Sequence, residues 1–154
     1  MNPNAYPEKP LGEQEEKCEF CKIVAGELPR TLIHEDLDLI VFRNALTWTS
    51  VMYLIIPRVH VTQIEFWNSP LFPRAAALAT QLGQIDSPEG FRLVSNFGQQ
   101  AAQTQIHGHL HVLGGGELGL YMDFPRKGDY WLRRFGFTEG KPDPFGKPSE
   151  KNAG

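Results

Sequence analysis

Two short runs of consecutive apolar residues stand out in this chain, Leu39 to Phe42 and Val51 to Ile56. Both are rich in β-branched and aromatic residues, and they stop at Arg43 and Pro57. Such runs predict strands at 38–43 and 51–56, with a loop or turn within 42–50. A different pattern follows. Apolar residues at 71, 72, 75, 78, 79 and 82 have helical spacing, which predicts a helix from Pro70 to Leu82 with Ser69 as N-cap and Gly83 as stop. A shorter helical stretch covers 21–28 and ends at Pro29, and 31–34 reads as extended. Two more strands are predicted, at 91–96 and 105–113. Between them lies a loop of small residues and glutamines at 98–104, and Gly114-Gly115-Gly116 closes the second. A short element is expected at 130–137. Strands separated by turns around one central helix predict an α+β fold with a mostly antiparallel sheet.

The polar, Pro-rich residues 1–17 read as a flexible arm and 138–154 as a loose tail, which leaves one domain at 18–137. A chain of 154 residues fits a single domain. The net charge of −3 gives no bulk attraction to nucleic acid or anionic membrane. No apolar run approaches the roughly 18 residues of a membrane span, and the N-terminus lacks a secretory core. A cytoplasmic protein is therefore expected. The only cysteines, Cys18 and Cys21, are three apart. That spacing is poor for a structural disulfide and common in metal or redox sites.

The segment His107-Gly108-His109-Leu110-His111-Val112-Leu113 concentrates three of the five histidines. On a strand these three share one face, and Leu110 and Val112 take the other. Imidazoles titrate near neutrality, attack phosphorus and bind metals. A metal-chelating or simply polar strand face is the plainer reading. His34, in Ile33-His34-Glu35-Asp36, reads as solvent-facing.

With its neighbours, this segment resembles the histidine-triad (HIT) family, whose motif is His-x-His-x-His followed by two apolar residues. Cys18-Glu19-Phe20-Cys21-Lys22-Ile23-Val24 is similar to that family's opening. Gly26-Glu27-Leu28-Pro29, Glu35-Asp36 and Leu54-Ile55-Ile56-Pro57-Arg58-Val59-His60 also match. So do Asn96, Gln103-Thr104 and Val112-Leu113-Gly114-Gly115, so that the similarity covers about residues 18 to 116.

The resemblance implies a HIT-like α+β fold: a five-stranded antiparallel sheet, one main helix and a short N-terminal helix. Two copies would pair through the central helix and neighbouring strand into a ten-stranded homodimer. It implies cleavage of purine nucleotides at the α-phosphate, with His109 attacking phosphorus and His111 holding a phosphate oxygen or moving protons. Thr104 stands where the family usually has a serine near the scissile bond. Asn96 and Gln103 match polar positions at the phosphates, and Asn44 lies in the segment that grips the ribose. The base pocket would be apolar, with Ile23, Phe42, Phe20, Ile40 and Leu46 as candidates. Relatives that keep the Cys-x-x-Cys imply a structural zinc on Cys18, Cys21, His60 and His107. No organic cofactor, membrane or specific nucleic-acid partner is implied. A C-terminal segment reaching the partner's active site would place Trp131 or Arg126 there.

Four positions depart from the family pattern. Asn44 replaces an Asp, Met52 a histidine of the phosphoramidase branch, Gly108 an apolar β-branched residue and Ala102 a loop glycine. The departures at 44, 52 and 108 motivate an alternative, a nucleotide-binding module with little turnover. A sugar-phosphate nucleotidyl transferase is another, although that group usually has Pro where this chain has Gly108. A zinc-organised interaction protein is a third.

Overall fold

A computed structural model of the chain describes residues 16–119. Helix α1 (Glu19–Val24) is followed by β1 (Leu32–Glu35), β2 (Leu39–Arg43) and β3 (Val51–Pro57). Then come α2 (Gln63–Trp67), α3 (Leu71–Asp86), β4 (Phe91–Val94), a 3-10 turn at Gln99–Ala101, and β5 (Leu110–Gly114). The five strands form one sheet in the order β1-β2-β3-β5-β4, and every neighbouring pair is antiparallel. This is the α+β architecture that the hydrophobic pattern predicts. A compact unit ends at Leu118. Residues 1–15 of the expected arm, the tail and the predicted element at 130–137 lie outside the described residues, as do Arg126 and Trp131.

Every residue of the central strand β3 is buried, because both faces of the sheet are covered. A strand covered on both sides reads as a continuous apolar run rather than an alternation. On one face Leu39, Val41, Tyr53, Ile55, Leu110 and Val112 pack with Ala75, Ala79 and Phe66 of the two later helices. On the other, Ile40, Phe42, Leu54 and Ile56 pack against Cys18, Phe20 and Ile23 at α1. Each such large side chain contributes about 1.5–3 kcal/mol by leaving water.

Four elements differ from the sequence reading, some through local caps and some through tertiary contacts. Helix α3 runs through Gly83 to Asp86. Ala75, Ala79 and Gly83 form its buried stripe, and a Cβ at Gly83 would lie 2.4 Å from the Phe91 ring. Gly83 thus permits close packing on β4 instead of ending the helix. At the other end of α3, the Ser69 hydroxyl accepts from Leu71 N at 3.2 Å, although Pro70 occupies the cap position. Helix α1 starts and ends earlier than predicted, because Cys18 caps it by accepting from Cys21 N. Helix α2 was not predicted at all. It carries a reciprocal capping box between Thr62 and Glu65, and Thr-x-x-Glu is a start signal visible in the sequence.

The fourth difference is the triad segment itself. The strand predicted at 105–113 joins the sheet only from Leu110. Before that, His107 makes an isolated bridge with Thr62, and Gly108 N donates to Val61 O at 2.7 Å. A Cβ at Gly108 would lie 2.6 Å from Phe66 Cβ. The missing side chain lets α2 approach the histidine segment.

The turn from β1 to β2 is built on Asp36. Its Oδ1 accepts from Asp38 N at 2.8 Å and Leu39 N at 2.9 Å, and Arg74 of α3 pairs with both Asp36 and Asp38. The backbone N–H groups of Asp38 and Leu39, helped by His34 and Arg74, hold the Asp36 carboxyl at about 2, below its ordinary 3.8. A depressed carboxyl stabilises the fold above its unfolded pKa, and that contribution is lost as pH falls through the folded value. Wild type should therefore exceed Asp36→Asn in stability at pH 5 by about 1 kcal/mol, a figure kept small by partial solvent exposure. The advantage should vanish between about pH 4 and pH 2. Denaturant midpoints measured across that range check it; a constant difference would contradict it.

Candidate active site and metal centre

Cys18 caps α1 and Cys21 lies in its first turn. That spacing points both sulfurs toward the same place. His60 follows β3 after Pro57-Arg58-Val59, and His107 arrives from the other end of the chain through its bridge to Thr62. The His107 ring donates from Nε2 to Pro57 O at 2.7 Å, which leaves Nδ1 as its free lone pair. Nδ1 lies 3.6 Å from Cys18 Sγ and 3.5 Å from Cys21 Sγ, and His60 Nδ1 lies 3.2 Å from Cys21 Sγ. A ligand atom from each of the four residues lies within 4.8 Å of all the others.

The residues fit a zinc ion. Zn–S bonds of about 2.3 Å and Zn–N bonds of about 2.05 Å at tetrahedral angles put sulfur and nitrogen about 3.5 Å apart. The observed 3.2–3.6 Å brackets that value. His60 Nε2 is buried with no hydrogen-bond partner. The neutral ring has one lone pair, and a cation beside Cys21 would take it at Nδ1, leaving Nε2 as the protonated nitrogen. Two cysteines and two histidines leave no open position, as in structural zinc sites.

His109 is buried beside this quartet. Its Nδ1 donates to His107 O at 2.7 Å, so Nε2 carries the lone pair. The His111 ring lies 5.1 Å from that of His109, and the Phe20 ring stands edge-on to both His107 and His109. The three triad histidines therefore gather on the α1 side of the sheet, and Leu110 and Val112 enter the opposite core, as alternation predicts. Burial pushes all three imidazoles below their ordinary 6.5, His107 and His111 to about 4. Nearby histidines lower His107 and His111 further, whereas the bonds to Pro57 and His107 oxygens act the other way for His107 and His109.

The remaining candidates are placed as follows. Thr104 is exposed at the end of the loop before the triad. Gln103 spends its carboxamide on that loop, accepting from Gly98 N at 2.8 Å and donating to Gln105 O at 2.9 Å. Ala102 within it adopts a left-handed backbone, φ 58°. Asn96 is half-buried beyond β4, its carbonyl 3.3 Å from Gln63 Nε2. Asn44 turns the chain after β2, its side chain accepting from Leu46 N at 3.0 Å. Met52 is buried and its sulfur meets Trp48 N at 3.2 Å. Ile23, Ile40 and Phe42 are packed around Phe20, whereas Leu46 is exposed. His34 sits away from the cluster, 3.4 Å from Asp36. Sequence reasoning missed Gln63 and Ser95, which both bond to the His109 backbone. The Thr-x-x-Glu signal at 62–65 could have placed Gln63 on a helix, but nothing local pointed to its partner.

Comparison with known proteins agrees with this geometry. The HIT domain family model matches residues 25–118. The crystal structure of a HIT family hydrolase from Legionella pneumophila is similar, with a TM-score of 0.63 and 34% identity; the match covers 68% of this chain and 98% of that one. A 14 kDa zinc-binding protein of Brassica juncea is 30% identical over 105 residues, 64% of this chain and 93% of that protein. A Zn-bound histidine triad family protein from Mycobacterium smegmatis has a TM-score of 0.54 and 28% identity, covering 75% of this chain and 86% of that one.

Proposed function

Because the chain belongs to the HIT domain family, and hydrolases are among its structural relatives, we propose that it cleaves nucleotides at the α-phosphate through a covalent intermediate on His109. The observation that carries this reading is the fixed tautomer of His109. With Nδ1–H held by the His107 carbonyl, the Nε2 lone pair is the free end of a ring already turned beside His111. A neutral imidazole is the nucleophilic form.

In the proposed reaction Nε2 attacks phosphorus, a P–N bond forms, and the bond from phosphorus to the leaving group breaks. The leaving group takes up a proton from solvent as it departs, and the water of the second step returns one to solvent. Water then attacks the same phosphorus, the P–N bond breaks, and a nucleoside monophosphate leaves with His109 neutral again. His111 holds a non-bridging oxygen or passes protons. The Thr104 hydroxyl donates near the scissile bond. Asn96 and the loop ordered by Gln103 face the phosphates, and Asn44 contacts the ribose. Phe20, backed by Ile23 and Phe42, gives the base an apolar wall. Cys18, Cys21, His60 and His107 would hold zinc, whose role is structural: it ties α1 to the segment that carries His109. Substrates are purine nucleoside phosphoramidates, nucleotidyl esters or dinucleoside polyphosphates, and the working form is a homodimer paired through α3 and the edge strand β4. Among the described residues no helix is long and apolar enough to cross a membrane.

Rapid mixing with an adenosine phosphoramidate, followed by acid-free quenching and mass spectrometry, tests the proposal. The expected result is one adenylyl adduct, located on His109. Tight binding of the monophosphate with no adduct and no turnover would replace the hydrolase with a binding module.

A further inference from the structure

The nucleophile proposed above sits on a backbone that no strand supports. The β3–β5 ladder ends at Ile55 and Leu110, and the β4–β5 ladder ends at Val94 and His111. The peptide groups of His109 are nevertheless satisfied. Its N–H donates to Gln63 Oε1 at 2.7 Å, and its C=O accepts from Gln63 Nε2 at 3.0 Å. One carboxamide thus reproduces the two-way exchange that a neighbouring strand residue would make. The Ser95 hydroxyl adds a second donor to the same carbonyl at 2.9 Å. Gln63 Nε2 also lies 3.3 Å from Asn96 O, so one side chain joins the nucleophile to the residue beyond β4.

We infer that Gln63 is a positioning residue for His109. It acts as a one-residue surrogate strand that holds the nucleophile's main chain where the sheet has stopped. Three features make this arrangement stiff. Gln63 is only 3% exposed, so water does not compete for its bonds. It is the first residue of α2, whose start is locked by the Thr62–Glu65 capping box. And α2 is drawn against the histidine segment by the packing of Phe66 at Gly108. The ring is fixed separately, through Nδ1 and His107 O. Backbone and ring together leave Nε2 little freedom, and small misplacements of a reacting atom are expensive in rate.

The inference rests on His109 being the nucleophile, and its test separates the two ideas. Gln63→Met keeps the length and burial of the side chain but cannot donate or accept. At saturating adenosine phosphoramidate, folded Gln63→Met should form the His109 adduct about ten- to a hundredfold more slowly than wild type. KM should change by less than about twofold, since Gln63 holds the attacking group and not the substrate. Amide hydrogen exchange at His109 should accelerate by at least about tenfold, because the protecting acceptor is gone. Gln63→Glu keeps an acceptor for the His109 N–H and should retain more of that protection than Gln63→Met. Unchanged adduct formation in folded Gln63→Met would overturn the positioning role, whatever its melting temperature. If wild type forms no adduct, the proposed reaction falls, and the exchange measurement still decides the clamp: unchanged exchange at His109 removes it.

Discussion

His109→Ala is expected to lower kcat for release of the nucleoside monophosphate by at least about a thousandfold, with nucleotide binding largely retained. Removing a covalent nucleophile eliminates the two-step route altogether, and losses of that class are the largest that single substitutions produce. The side chain is not part of the core that holds the sheet together. Leu110 and Val112 pack into that core, whereas the His109 ring makes its polar contact with His107 O and edge contacts with Phe20 and His111. The variant should therefore fold. The measurement is steady-state release from an adenosine phosphoramidate and from a dinucleoside polyphosphate, run beside wild type. The preferred substrate also identifies the leaving-group class. Equal activity in the two proteins would remove His109 from the chemistry. Equal inactivity with retained monophosphate binding would favour the binding module.

Removing the metal should have the largest effect on stability. The purified protein is expected to carry about one zinc per chain by elemental analysis. Chelation, or Cys21→Ser, should lower the melting temperature by at least about 10 °C, since even a few kcal/mol shifts a domain of this size that far. Three segments distant in sequence each supply ligands to this quartet: the cap and first turn of α1, the turn after β3 and the start of the triad. Without a cation the site leaves two thiols facing two imidazoles. His107 should respond as Cys21 does, because its Nδ1 has no other use once Nε2 is bonded to Pro57 O. Sub-stoichiometric metal together with an unshifted melting curve after chelation would contradict the site.

The two effects should separate cleanly. Loss of His109 acts on rate with little change in melting, whereas loss of Cys21 acts first on melting. Both readouts on both variants distinguish a structural centre from a reacting group two residues away in the chain.

Much of this arrangement was legible in the residues themselves. The continuous apolar runs at 39–42 and 51–56 marked β2 and β3, because strands covered on both faces need no polar alternation. Alternation at 107–113 placed the three histidines opposite Leu110 and Val112, since successive side chains on an extended chain must face opposite ways. The spacing at 71–82 marked α3. Resemblance of motifs pointed to the four residues that the structure brings together and to the roles proposed for the triad. The missed helix α2 carried a local start signal in Thr62 and Glu65, but at Gly83 and in the triad segment the deciding contact came from far away. Gly83 looks like a stop until Phe91 is seen against it. Residues 105–109 look like strand until Thr62 and Gln63 take their hydrogen bonds. Local pattern records which side of a segment is buried, because burial depends on residue type and periodicity. It does not record what buries that side or which distant group meets its peptide bonds. Those were decided only when α2 and α1 closed on the end of β5 and set the geometry around His107 and His109.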